Sequence, residues 1–279
     1  MRLQEKFLEL RSKHQGILAT NFYNFETLKG VLMAAKSMNQ PLILQLTKSS
    51  IEYMGLPVAY NLAKSMLEYH EVEGWIHLDH GDSYELVEEC LEIGFDSVMI
   101  DASEKPFEEN IAVTNKVVKL AEQYGANVEA ELGYIAKLGQ DKGKSGFTSP
   151  SEAKEFVEAT GVNALAVAIG TTHGFYDSEP ELQLDRLSQI AEATSATLVL
   201  HGSSGIPAET LKNALDRGIC KINLATEIKN IFMQTLKSSL SSSDEIDLRK
   251  VFPKATDKVT ELVMEKLEIV KNTAQLSAQ

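Results

Sequence analysis

Three of the six histidines stand where an apolar run meets a glycine. His80 closes Trp75-Ile76-His77-Leu78-Asp79-His80 ahead of Gly81, His173 lies in Gly170-Thr171-Thr172-His173-Gly174, and His201 follows Leu198-Val199-Leu200 ahead of Gly202. Imidazole nitrogen is a ready zinc ligand, and a catalytic zinc typically has three protein ligands and one open position. His80, His173 and His201 therefore form a candidate metal trio. A single histidine at such a place is more often a packed or surface side chain; three, each beside a glycine, point to a metal. His14 and His70 fall on predicted helices as surface or packing residues, and His77, inside a run, reads as a hydrogen-bonded core residue.

Carboxylates stand at comparable places. Asp79 directly precedes His80 and could serve as general acid and base beside the metal, or orient a histidine from behind. Strict strand alternation would put Asp79 and His80 on opposite faces, so both reach one site only if the strand has ended by His80. Asp101 and Glu131 end two further runs and could hold a second divalent ion or steady the ligands. Glu129 shares a face with Glu131, which leaves a buried structural carboxylate open for either. Two small-residue stretches, Gly202-Ser203-Ser204-Gly205 and Asn223-Leu224-Ala225-Thr226, follow the seventh and eighth runs, where barrels commonly bind phosphate. The first leads to a helix expected near Pro207, so its amides could approach an anion. A Schiff-base mechanism needs a lysine near the barrel axis. The sixth run has none, and Lys221 falls at the start of the eighth, away from the active face, so carbonyl chemistry falls to a metal as Lewis acid.

The elements that must position these residues are eight apolar or β-branched runs at 16–22, 41–47, 74–80, 97–103, 127–133, 164–170, 197–203 and 221–227. Segments of helical periodicity separate them, for example Leu86, Val87, Cys90 and Leu91. This alternation predicts parallel strands with crossover helices, and eight such units close a (β/α)8, or TIM, barrel. A doubly wound open sheet is the competing architecture. Asn21, Thr47, Asp79, Asp101, Glu131, His201 and Asn223 fall toward the C-terminal ends of their runs, which in a barrel is the catalytic face. Polar residues can also simply mark where strands stop, though that explains one or two better than all of these. The amphipathic first fifteen residues predict a covering N-terminal helix. At the other end a helix at about 227–240, an exposed connector over Ser238 to Asp247 and a final helix from about 254 to 271 are expected. Residues 1–279 are the size of one barrel domain.

A formal net charge of -13 argues against nucleic acid and anionic membrane as partners. The N-terminal stretch lacks the apolar core of a signal peptide, and no run approaches a bilayer span. Cys90 and Cys220 lack metal-motif neighbours and read as buried thiols in a reducing, cytoplasmic setting, with a disulfide as the less favoured alternative.

The chain resembles the class II, zinc-dependent ketose-bisphosphate aldolases, the fructose- and tagatose-bisphosphate aldolase group. The motifs that carry the resemblance run from Ala19-Thr20-Asn21-Phe22-Tyr23-Asn24-Phe25-Glu26 through His77-Leu78-Asp79-His80-Gly81, Met99-Ile100-Asp101-Ala102-Ser103 and Glu129-Ala130-Glu131-Leu132-Gly133. They continue in Gly170-Thr171-Thr172-His173-Gly174, His201-Gly202-Ser203-Ser204-Gly205 and Lys221-Ile222-Asn223-Leu224-Ala225-Thr226. The resemblance implies zinc on His80, His173 and His201, Asp79 as acid and base on the aldehyde-side oxygen, and Asp101 and Glu131 as ligands of a second metal position. It implies that Gly174, Gly202, Ser203, Ser204, Asn223, Leu224, Ala225 and Thr226 hold the dihydroxyacetone phosphate portion, with Thr47 near the phosphoryl end and a monovalent cation, Na+ or K+, close by. It also implies reversible cleavage of a phosphorylated ketose, fructose- or tagatose-1,6-bisphosphate, through a metal-stabilised enediolate, in a homodimer or homotetramer.

One segment departs from the family pattern. After Glu131-Leu132-Gly133 the family usually carries Gly-Gly-x-Glu-Asp, whose glutamate handles the proton on the dihydroxyacetone phosphate carbon. Here residues 134–146 hold Asp141 as their only carboxylate, which makes Asp141 the substitute candidate. The altered segment keeps three alternatives open: an aldolase for another sugar phosphate, a metal-dependent hydrolase on the same barrel, and a non-catalytic sugar-phosphate binder.

Overall fold

A strand covered on both faces needs a nearly continuous apolar run, and Leu42 to Leu46 is broken only by Gln45. The structure, a computed structural model, describes residues 1–135, 146–176 and 178–271. Among these, eight parallel strands close into a barrel in sequence order: β1 (Ile17–Asn21), β2 (Leu42–Thr47), β3 (Gly74–Gly81), β4 (Ser97–Ile100), β5 (Asn127–Leu132), β6 (Ala164–Val167), β7 (Thr197–Leu200) and β8 (Ile219–Leu224), with β8 paired back to β1. The helices are α1 (Leu3–Ser12), α2 (Phe25–Met38), α3 (Lys48–Met54), α4 (Leu56–His70), α5 (Tyr84–Ile93), α6 (Phe107–Tyr124), α7 (Pro150–Thr160), α8 (Leu184–Ala193), α9 (Ala208–Asp216), α10 (Thr226–Ser241) and α11 (Leu248–Lys271). This is a TIM barrel with extra helices at both ends, and the open sheet is excluded by the β1–β8 pairing.

Alternation along each strand sorts the side chains. Leu18, Leu44, Leu46, Ile76, Leu78, Val98, Leu165, Leu198 and Ile222 join the core between barrel and helices. Ile17, Ala19, Ile43, Trp75, Ala164, Ala166, Val199 and Cys220 instead form a second cluster with Leu3, Phe7 and Leu10 of α1. Ile17, Ile43, Trp75, Ala164 and Cys220 are the first or second residues of their strands, so α1 covers the N-terminal end of the barrel.

Several boundaries differ from the sequence expectation. β8 begins at Ile219 because Gly218, at φ +114, turns the chain early enough for Ile219 to pair with Leu198. It ends at Leu224, and Thr226 already opens α10. β4 stops at Ile100 because Asp101 Oδ1 takes the Ser103 amide and bends the chain away. α10 extends to Ser241, which shortens the connector to 242–247. α11 starts at Leu248 rather than near 254: Asp247 accepts from the Arg249 amide and caps it, while Pro253 sits inside and forfeits one backbone bond. His14 lies beyond the end of α1 with φ +51, not on a helix.

Candidate active site

β3 does not end before His80, contrary to the condition set by alternation; it bulges. Leu78 pairs with Val98 and Gly81 with Ile100, so Asp79 and His80 together face one residue of β4. His80 takes φ +52, a left-handed backbone that a non-glycine residue adopts at a cost of order 1–3 kcal/mol. Among the described residues the other positive-φ non-glycine positions, His14, Asn39 and Glu71, all stand at helix ends. Gly81 makes the bulge possible, since a Cβ there would lie 2.5 Å from the Met99 carbonyl oxygen. The bulge re-aims one side chain, and Asp79 and His80 reach the same pocket.

Single ligand atoms from His80, His173 and His201 all lie within 4.8 Å of one another. The donor set suits a cation. Asp101 Oδ2 is 2.9 Å from His80 Nδ1, and Glu129 Oε1 is 2.8 Å from His201 Nε2. Each carboxylate takes the far N–H of its imidazole, which leaves the near nitrogens, His80 Nε2 and His201 Nδ1, facing each other at 3.0 Å with lone pairs. Two lone pairs at that distance call for a positive charge, and the fixed tautomers are those that a bound metal requires. Burial opposes a charge on His80, but Asp79, Asp101 and Glu131 outweigh it and lift its pKa to about 9. His201 is pushed down by its complete burial.

Asp79 sits at the floor of the pocket. Its Oδ2 accepts from Asn21 Nδ2 at 2.9 Å, and its Oδ1 from Gln45 Nε2 at 3.2 Å and Asn223 Nδ2 at 3.3 Å. Burial favours its neutral form, yet His80, His201 and Lys221 hold the carboxyl below its ordinary range. Asp101, Glu131 and His80 offer ligand atoms within 4.8 Å of one another, and Glu131 Oε2 also lies 3.9 Å from His201 Nδ1. The Ser103 hydroxyl bridges the two carboxylates, 2.7 Å from Asp101 Oδ1 and 3.1 Å from Glu131 Oε1.

A pocket of about 180 Å³ opens above these groups, lined in part by Thr47, Gly174, Gly202, Ser203, Ser204, Ala225 and Thr226. Leu224 is the exception among the expected pocket residues: its side chain is fully buried in the outer core, because it alternates with Asn223, which points inward. Thr47 has a second task as the N-cap of α3, accepting from the Ser50 amide. Larger clefts of about 460 and 800 Å³ are lined by other residues, including Lys36 and Pro41 in one and Leu91 and Tyr124 in the other, and neither contains any of the three histidines. Asp141 lies outside the described residues.

With this geometry in hand, the sequence model described as "Fructose-bisphosphate aldolase class-II" matches residues 1–275. The chain belongs to that family. It is 35% identical over 294 residues to "Fructose-bisphosphate aldolase" of Giardia intestinalis, covering 95% of this chain and 91% of the relative. It is 37% identical over 241 residues to "D-tagatose-1,6-bisphosphate aldolase subunit GatY" of Klebsiella oxytoca, covering 84% and 85% respectively. Among solved structures, the YdjI aldolase from Escherichia coli K12 superposes with a TM-score of 0.87 at 34% identity over 98% of both chains.

Other residues around this aldolase-family site have places that sequence reasoning missed or put elsewhere. Lys221 is the third residue of β8, not its first, and its ammonium lies inside the barrel, 2.6 Å from Glu129 Oε2 and 3.3 Å from His77 Nε2. It lines no part of the pocket, its amine being committed to Glu129. Glu129 is thereby held far below the ordinary carboxylate range against its own burial, and it steadies His201. Tyr23 and Lys229 line the mouth, with the Lys229 ammonium 5.4 Å from the centre of the Tyr23 ring. Inward alternation in β2 and β8 could have flagged Gln45 and Lys221; no local signal marks Lys229.

Proposed function

We propose that the chain is a zinc-dependent aldolase that reversibly cleaves a phosphorylated ketose, of the fructose- or tagatose-1,6-bisphosphate class, to dihydroxyacetone phosphate and an aldehyde. Family membership supports the reaction type, and relatives named for fructose- and tagatose-bisphosphate cleavage support the substrate class. The observation that carries the reading is the convergence of three imidazoles beside Asp79 and a glycine-serine turn in one pocket.

In this reading His80, His173 and His201 hold zinc, with Asp101 and Glu129 fixing the tautomers of two of them. Zinc bound there supplies a Lewis acid for a carbonyl oxygen. Asp79, kept ionised at the pocket floor, takes the hydroxyl proton of the carbon that becomes the aldehyde as the carbon-carbon bond breaks, and returns it in the condensation direction. Asn21, Gln45 and Asn223 orient that carboxylate. Gly174, Gly202, Ser203, Ser204, Asn223, Ala225 and Thr226 bind the phosphorylated three-carbon portion, Leu224 contributing backbone alone; Thr47 lies toward the same end, and a Na+ or K+ ion beside the phosphate belongs to the same proposal. Asp101 and Glu131 with His80 offer the second metal position. One barrel domain over residues 1–279, in a cytoplasmic homodimer or homotetramer, completes the reading; the family match over 1–275 and the free, buried Cys90 and Cys220 support it.

A coupled assay on a panel of phosphorylated ketoses tests this. Cleavage is expected to vanish after treatment with a chelator and to return with Zn2+, with dihydroxyacetone phosphate and an aldehyde as products. Undiminished cleavage by metal-free protein, or products that carry added water and no new aldehyde, would sink the proposal.

A further inference from the structure

The loops that follow β6 and β7 carry His173 and Gly202, and one phenol joins them. Tyr176 Oη accepts a hydrogen bond from the Thr172 amide at 2.8 Å and donates one to the Gly202 carbonyl at 2.6 Å. Thr172 is the neighbour of His173, and Gly202 is the neighbour of His201. The ring packs against the outer core, and burial pushes the phenol above its ordinary range, so the hydroxyl keeps its proton. Contact closes the junction from the other side: Gly202 sits at φ +70, and a Cβ there would run into the Thr172 carbonyl. The two loops thus have one relative placement.

That placement has a consequence for the pocket. In a planar trans peptide the C=O and N–H point to opposite sides. With the Gly202 carbonyl committed to Tyr176, the Ser203 N–H of the same peptide is turned away from the phenol, and Ser203 lines the pocket. Among the described residues no backbone acceptor takes that amide. The Ser203 side chain is separately tied to the Asn223 carbonyl, which anchors the turn to β8.

We infer that Tyr176 is a positioning residue: its hydroxyl sets the Gly202–Ser203 peptide as a fixed donor to an anionic ligand group and keeps the His173 loop in register with His201. The inference rests on the proposal that a phosphorylated ligand and zinc occupy this site. A donor fixed before the ligand arrives costs no reorganisation on binding, and the residue that fixes it need not touch the ligand.

The test is Tyr176→Phe in the zinc-loaded full-length protein, a change that keeps the ring and removes both hydrogen bonds. Losing one preorganised hydrogen bond to a charged group corresponds to roughly tenfold in affinity. Calorimetric titration with dihydroxyacetone phosphate, and separately with inorganic phosphate, is therefore expected to show about tenfold weaker binding. KM for the phosphorylated ketose should rise by a similar factor with kcat little changed, and zinc should pass faster to a chromogenic chelator. A lowered Tm with unchanged ligand affinity and zinc loss would mean a merely structural phenol and overturn the inference. Should the Phe variant fail to fold, Gly202→Ala displaces the same peptide from its other side and is expected to raise KM likewise; an unchanged KM there also overturns it. If the wild-type protein itself takes up neither dihydroxyacetone phosphate nor inorganic phosphate, the phosphorylated-ligand proposal fails, and the Tyr176 inference is then decided by zinc loss, with equal rates in wild type and variant rejecting it.

Discussion

His77 is buried completely, with Ser97 Oγ 2.8 Å from its Nδ1 and the Lys221 ammonium 3.3 Å from its Nε2. An ammonium can only donate, so Nε2 accepts and Nδ1 carries the proton toward Ser97. Burial, and then the Lys221 charge, hold the imidazole pKa down to about 3 from its ordinary 6.5. The sign follows from linkage: between those two values the unfolded chain binds a proton that the folded chain refuses, so the stability present above pH 6.5 is lost as pH falls toward 3. The depressed carboxylates Glu129 and Asp79 add their own acid loss only below the ordinary carboxylate range. Urea unfolding at several pH values from 7 to 5 should therefore show a decline to which His77 alone contributes about 2 kcal/mol, one proton over the span below its unfolded pKa. His77→Gln should flatten that decline, and equal slopes for the two proteins would refute the assignment. At this scale the sequence showed which residues could do chemistry, since His80, His173, His201 and Asp79 were picked out by residue type and position. It did not show His77, Glu129 and Lys221 as one buried chain, because the partners lie 92 and 144 residues apart.

Among elements, the bulge in β3 and the seat of α11 were set by neighbours rather than by local sequence. α11 lies against α2 through Gly30: a Cβ there would meet the Thr256 carbonyl at 2.8 Å and Val259 Cβ at 2.9 Å, and Thr260 Oγ1 donates to the Gly30 carbonyl at 3.1 Å. The glycine allows the last long helix to bury Val259, Val263 and Leu267 against the barrel's outer layer. α11 also touches the pocket indirectly. Lys266 pairs with Glu227 at 2.9 Å, and the Glu227 carboxylate accepts from the Gly205 amide at the end of the glycine-serine turn. Gly30→Val is expected to destabilise the protein by about 1–3 kcal/mol, the usual cost of overpacking a tight contact. The check is the denaturation midpoint, and a variant as stable as the parent would show that α2 and α11 can separate without loss. Helix periodicity predicted both helices, whereas α11 starts at Leu248, earlier than the expected 254, and runs through Pro253.

On the scale of the whole molecule, the barrel is graded along its axis. α1 and the early strand residues seal one end with apolar side chains; Gln45, His77, Glu129 and Lys221 form a buried polar layer; and Asn21, Asp79, Glu131, His201 and Asn223 face the pocket end. The chain as a whole carries a net charge of -13, so a phosphorylated ligand approaches against long-range repulsion and is held by local groups. The Debye length falls from about 30 Å at 0.01 M salt to about 8 Å at 0.15 M. The association rate of a phosphorylated ketose should therefore rise over that range, while that of uncharged dihydroxyacetone stays flat. Stopped-flow rates that fall for the charged ligand would show that the local cationic groups, Lys229 and any bound metal, outweigh the molecule's net charge.

The amino-acid sequence by itself determined the count of apolar runs, the alternation with helices and the appearance of histidines and carboxylates at run ends. Those properties follow from local periodicity and residue chemistry, which suffice for parallel strands with crossover helices and for a candidate metal trio, whereas closure of the barrel rests on the pairing of β8 with β1. Tertiary structure alone decided that Asp79 and His80 share a pocket, because the bulge exists only against the register of β4. It alone placed Lys221 beneath His201 and Tyr176 between two loops, and it turned Leu224 away into the outer core. Each of these depends on which strand or loop lies alongside, a relation between distant segments that no local window of sequence contains.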